Sequence, residues 1–189
     1  MNVIALDIAD INLQNVFFHD PKKNIIMNGI FTKIMYTSQW FTMNGIYLYL
    51  PLEMDVVGEY PYFHFSVNSI QNKNILNALY LLEKNIIHSY YKHNNYNSNN
   101  RATAAYGGDD KQEKIFNYGL NKWLQYGQIR IYHLKGDPTI QKKHKFILKI
   151  SGIWETSTEI GITYKLMESS QFSTNPIDIG IHQHVDCSY

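Results

Sequence analysis

Single cations set among apolar residues, with aromatic rings at nearby alternate positions, are the side chains of this chain with the clearest chemical potential. Lys33, Arg130, Lys149 and Lys165 each interrupt an apolar run. In an alternating strand such a residue projects opposite the buried face. Tyr47 and Tyr49 hold the polar phase of Gly45 to Leu52, while Ile46, Leu48, Leu50 and Leu52 hold the apolar phase. Trp40 and Phe41 fall in a connection, where a large ring has no evident core role. Trp154 ends the strand that begins at Phe146, and Lys143 belongs to a basic cluster, Lys142-Lys143-His144-Lys145, just before it. Rings stack on flat bases and cations meet phosphates, so one surface carrying both suits a single-stranded nucleic acid. Plainer readings stand beside this one. Lysine on an exposed strand needs no ligand. The basic cluster can be a solvated turn, and Trp154 can plug a barrel. Tyr36 and Tyr164 share the apolar phase and belong to the core.

Other chemistry is thinly represented. His182, His184 and Cys187 are zinc-type ligands, but their spacing is unusual and a second cluster is missing. Gly107-Gly108-Asp109-Asp110 lacks flanking apolar strands and a second carboxylate motif, so it reads as a loop. No phosphate-binding glycine loop and no nucleophile elbow occur. The expectation is a binding protein, not an enzyme, with no cofactor and no metal.

The elements that must position these residues follow from periodicity. Asn24 to Thr37 reads as a strand bent near Asn28-Gly29, Gly45 to Leu52 as a second, and Tyr62 to Val67 as a third, with Phe63, Phe65 and Val67 inward. Asn68-Ser69 can cap a helix. Ile75, Leu79, Leu82 and Ile86 then recur at helical spacing, and the helix is expected to end near His93-Asn94-Asn95. A polar loop over 94–110 and a second helix over 111–126 follow, the latter with Ile115, Leu120, Trp123 and Leu124 inward. Ile129 to Leu134 is a strand. In the last hairpin Phe146, Leu148 and Ile150 alternate with Ile147, Lys149 and Ser151. After a Glu155-Thr156-Ser157-Thr158 turn, Ile160, Ile162, Tyr164 and Leu166 alternate with Gly161, Thr163 and Lys165.

Bulk properties set the limits. The 189 residues, 44 % hydrophobic, suffice for one folded domain with a core. A net charge of +1 excludes attraction of a polyanion by overall charge, so any cationic site must be local. The 15 tyrosines accompany many Asn, Ile and Lys residues and only two arginines, a bias of AT-rich coding that lowers the weight of the tyrosine count. One cysteine rules out an intrachain disulfide. No signal peptide and no apolar run of about 18 residues is visible, so no membrane partner is expected.

Strands, helix, loop, helix, strands is the order of a mostly β, α+β fold. The expected architecture is an oligonucleotide-binding-like barrel of five to six strands, with two helices between the strand blocks. The expected boundaries are one domain over 1–189, a core over about 24–168, a helical insertion over about 68–127 and a tail over 169–189. A generic α+β sheet fits the same order.

Particular segments carry a resemblance. Phe31-Thr32-Lys33-Ile34-Met35-Tyr36 with Phe41-Thr42-Met43-Asn44-Gly45-Ile46-Tyr47, and Phe146 to Lys149 with Ser151-Gly152-Ile153-Trp154-Glu155 and Gly161-Ile162-Thr163-Tyr164-Lys165, resemble the single-stranded DNA-binding proteins of large double-stranded DNA viruses of eukaryotes, insect viruses among them. These segments cover rather less than half of the chain. The resemblance implies an oligonucleotide-binding fold that covers single strands without sequence preference during viral DNA replication or recombination, in the host nucleus or at a viral replication site. Self-association or contact with other replication proteins would accompany that role, and RNA is the other strand such a surface can take. The rival reading is a viral structural or assembly protein whose aromatic face serves protein contacts.

Overall fold

The structure is a computed structural model, and it describes residues 4–53, 62–101, 114–130 and 146–168. In chain order the elements are β1 (Val16–Phe18), β2 (Lys22–Lys23), β3 (Ile30–Thr37), β4 (Thr42–Met43), β5 (Ile46–Leu50), β6 (Tyr62–His64), α1 (Ile70–Arg101), β7 (Ile115–Asn117), α2 (Gly119–Leu124), β8 (Gln128–Arg130), β9 (Phe146–Glu155) and β10 (Glu159–Glu168). Eight strands form one sheet along the path β1-β3-β9-β10-β7, with β2 and β4 attached to β3 and β5 attached to β9. Among the described residues no pairing joins the two ends of that path, so the sheet is open. β6 and β8 pair separately. The fold is α+β, mostly strands with two α-helices among the described residues.

The β9–β10 hairpin is the frame of the sheet, as the alternation around residues 146–168 predicts. One edge of β9 serves two partners: β5 along Phe146 to Ile150, then β3 along Gly152 to Glu155. The exchange falls at a bulge. Thr163 lies opposite Gly152 and Tyr164 opposite Ile150, leaving Ser151 as an extra residue on β9. A bulge inverts the side-chain phase beyond it. Phe146, Leu148 and Ile150 therefore point inward before the bulge and Ile153 after it, all fully buried. They join Ile34, Ile46, Leu48, Ile160 and Ile162 in one core with Leu79, Ile86, Ile87 and Tyr90 of α1 and Leu120 and Leu124 of α2. Each such aliphatic side chain contributes roughly 1.5–3 kcal/mol by leaving water.

The helical region departs from the periodicity reading. Ser69 caps α1, its hydroxyl accepting from Asn72 N–H at 3.2 Å. However, α1 runs 32 residues to Arg101, through much of the expected polar loop. Of the expected helix over 111–126, the described residues 114–126 instead hold a strand and a six-residue helix, and 111–113 lie outside the described residues. Ile115 to Asn117 pair in parallel with Glu159 to Gly161 of β10, and Ile115 is exposed where an inward position was expected. Glu83 fixes where α2 begins. Its carboxylate, fully buried, accepts from Leu120 N–H at 3.0 Å and Asn121 N–H at 2.9 Å. Burial pushes the Glu83 carboxyl up, against the lowering pull of those two N–H groups and of Lys122. Of the third expected strand, Tyr62 to Val67, only Tyr62–His64 is paired; Phe65 is buried and Val67 packs against the core.

A polar chain ties α1 to the sheet. Tyr90 donates to Glu155 Oε2 at 3.0 Å and shares a 3.0 Å bond with the buried Thr32 hydroxyl. Lys114 pairs with Glu155 Oε1 at 2.6 Å. Burial, reinforced by the Glu155 charge, pushes the Tyr90 phenol up to about 12. The helices and this network occupy the inner side of the sheet.

Candidate nucleic-acid interface

The outer face is built from cross-strand rows, because residues directly opposite one another in antiparallel strands project to the same side. Tyr49, Ile147 and Met167 form the first row, in which Ile147 is itself buried, and Tyr47, Lys149 and Lys165 the second. Lys33, Gly152 and Thr163 form the third, and Phe31, Trp154 and Gly161 the fourth. From Ile147 to Trp154 the rows cover about 20 Å at about 3.3 Å per residue. Lys22 of β2 lies opposite Phe31 and extends the fourth row. Six of the ten residues selected from the sequence, Lys33, Tyr47, Tyr49, Lys149, Trp154 and Lys165, thus share one face.

Two glycines shape its surface. A Cβ on Gly161 would lie 2.6 Å from Trp154 Cζ2, and one on Gly152 would lie 2.5 Å from Phe31 Cζ. Both rings therefore lie down over bare backbone instead of standing off the sheet. The Trp154 indole N–H donates to the Ile162 carbonyl at 3.1 Å, which fixes the ring. Trp154 and Phe31 remain half-buried. The bulge at Ser151 decides between the two readings of Trp154: without it, even-numbered alternation from Phe146 would carry the indole into the core.

The second row concentrates charge. Lys149 and Lys165 are directly opposite, an arrangement that costs stability through like-charge repulsion. Lys149 Nζ stands 4.9 Å from the centroid of the Tyr47 ring, a cation–π contact that holds the ammonium over the face. Tyr47 thereby acts as a seat for Lys149. The ion pair among the described residues is Lys114–Glu155; Lys22, Lys33, Lys149 and Lys165 have no carboxylate partner there. Among the described strand residues Glu159 is the one carboxylate in the outward phase, and Asn117 Nδ2 donates to it at 3.1 Å. The face is cationic although the chain is nearly neutral.

The remaining selections lie elsewhere. Phe41 turns toward the core and stacks on Tyr36, with centroids 6.3 Å apart and planes 24° apart, which corrects its expected outward role. The Ser38 hydroxyl, accepting from Phe41 N–H at 3.2 Å, sets that turn. Trp40, 82 % exposed, sits in the same turn at the far end of β3 from Phe31. Arg130 ends β8 in the separate two-stranded sheet, paired with Tyr62. Lys143, the Gly107–Asp110 loop and the His182–Cys187 tail lie outside the described residues. Tyr36 and Tyr164 take inner positions as expected, Tyr164 donating to the Gly119 carbonyl at 3.3 Å. Sequence reasoning did not select Phe31 or Lys22. Phe31 was legible as the position two before Lys33, in the same strand phase.

Among the described residues no three His, Cys, Asp or Glu side chains gather as metal ligands, and no helix is long and apolar enough to cross a membrane. Compared with protein-family models, with curated proteins and with solved structures, the chain matches none.

Proposed function

We propose that the chain binds single-stranded DNA without sequence preference across the outer face of its sheet. The observation that carries this reading is the Lys149–Lys165 pair, directly opposed, without a carboxylate partner among the described residues, one row from Lys33 and two from the Phe31 and Trp154 rings. A phosphate between the two ammonium groups turns their repulsion into attraction, and the recumbent rings accept bases by stacking. The resemblance of the Ser151–Glu155 and Gly161–Lys165 segments to viral single-stranded DNA-binding proteins supports the same reading and a role in viral DNA replication. We read the open sheet as an elaborated, incompletely closed relative of the oligonucleotide-binding fold. The partner exchange of β9 at a bulge and the helix between strand blocks support that reading.

The test is charge reversal at both lysines, Lys149→Glu with Lys165→Glu. Both side chains stand outside the core, so the far-ultraviolet spectrum and thermal unfolding should stay close to wild type. Single-strand affinity should fall, and the slope of log K against log salt should flatten by about 1.4, or about 0.7 for each phosphate no longer neutralised. Unchanged affinity with an intact fold would make the lysines solvated surface and remove the proposal.

A further inference from the structure

The loop joining β2 to β3 exposes apolar side chains to an extent that folding does not explain. Ile25 is 97 % exposed and Ile26 90 %. The loop is nevertheless ordered by its own backbone. Asn24 N–H donates to the Gly29 carbonyl at 2.9 Å, and the Asn24 side chain accepts from Ile26 N–H at 3.0 Å. These bonds close the loop and leave the two isoleucines exposed at its apex. Lys22 and Lys23 stand directly behind it, and residues 21–29 contain no carboxylate.

The apex occupies a definite place relative to the outer face. Gly29 backs onto the Glu155 carbonyl and Thr156 Cα, at the β9–β10 turn. Lys22 lies opposite Phe31, which lies opposite Trp154. The apex therefore extends from the aromatic end of the face, where a strand lying along the four rows would leave it.

Resting on the single-strand reading above, we infer that Ile25 and Ile26 form a wedge that enters the last base step where duplex gives way to single strand. Exposed aliphatic side chains such as Ile are among the residues that partly unstack base steps when they are inserted between them. The flanking lysines then meet the phosphates of the parting strands. A lipid surface is the less suitable partner. Interfacial anchoring favours Trp and Tyr, and the strongly exposed tryptophan, Trp40, lies at the opposite end of β3.

The test compares wild type with Ile25→Ser/Ile26→Ser on three labelled DNAs: a single strand, a fork with the same single-stranded length, and a blunt duplex. A 2-aminopurine at the first base pair of the fork reports unstacking. Wild type should prefer the fork to the single strand by on the order of tenfold, the equivalent of about 1.4 kcal/mol, and should brighten the 2-aminopurine. The double variant should lose both effects and keep its single-strand affinity. Equal wild-type affinity for fork and single strand, with no brightening, would overturn the wedge and leave the single-strand reading standing. Absence of single-strand binding would overturn both. Sedimentation with phosphatidylserine vesicles that the double variant abolishes would assign the apex to lipid and overturn the wedge.

Discussion

Trp154 and Gly161 behave as one unit. The indole occupies the volume a side chain at residue 161 would fill, so even a methyl group there would come within 2.6 Å of the ring. Gly161→Ala should lift the indole and lower single-strand affinity about as much as Trp154→Ala, on the order of 1–3 kcal/mol for one stacked base. Tryptophan emission would report the displaced ring, and unchanged affinity would separate the ring from binding. Lys165 is in the opposite situation, held in place against stability. Replacing it with threonine removes the directly opposed like charge and adds a good strand former. Lys165→Thr should therefore stabilise the free protein by up to about 1 kcal/mol in urea unfolding and weaken its hold on single strands. A loss of stability would contradict the repulsion argument.

At the scale of elements, two buried polar anchors decide how the helices sit. The Tyr90 hydroxyl serves Thr32 and Glu155 together. Tyr90→Phe leaves the fully buried Thr32 hydroxyl without that partner and should cost about 1–3 kcal/mol of stability. The Tyr90 phenol, pushed up to about 12, contributes stability that is complete below the ordinary tyrosine range and is lost as pH rises through its folded value. Alkaline titration at the tyrosinate band should show a late component that Tyr90→Phe diminishes, the remainder belonging to Tyr118 and Tyr164, whose phenols burial also pushes up. Glu83 caps α2 from inside the core. Because burial raises its carboxyl above 4.5, its contribution is complete below the unfolded value and is lost as pH rises through the folded one. Glu83→Gln should flatten the pH dependence of unfolding free energy above pH 4.5. It should also cost about 1–3 kcal/mol, since an amide accepts through one oxygen where two N–H groups need partners. Parallel pH profiles for the two proteins would contradict the burial argument.

Strands announced themselves by alternation. The last hairpin and the inward phases of β3, β5 and β10 were legible because period-two burial leaves a direct trace. Tertiary partnership left none. Ile115-Phe116-Asn117 has no strong strand signature, yet it pairs with the edge that β10 offers. Residues 94–101 are polar apart from Tyr96, yet they prolong α1. The bulge at Ser151 was equally invisible, and it alone turns Trp154 from core to surface. Phe41 could not be placed for a related reason: its direction is set by a Ser38 turn and a Tyr36 ring, neither of which follows from periodicity.

For the whole molecule, the proposed single-strand binding would draw its selectivity from shape and from charge held locally. Net charge is +1, so long-range steering is weak. With Lys22, Lys33, Lys149 and Lys165 each meeting one phosphate, the salt slope should be near roughly −3, at about −0.7 per phosphate of a single strand. Bases already paired in a duplex cannot reach the Phe31 and Trp154 rings, so blunt duplex should bind more weakly than single strand. The most direct measurement is fluorescence anisotropy of the wild-type protein with matched single-stranded and duplex oligonucleotides across a salt series. Tighter binding to the single strand with that negative slope is the expected result. Absence of binding to either near physiological salt would contradict single-strand binding and leave the outer face as a surface for protein contacts.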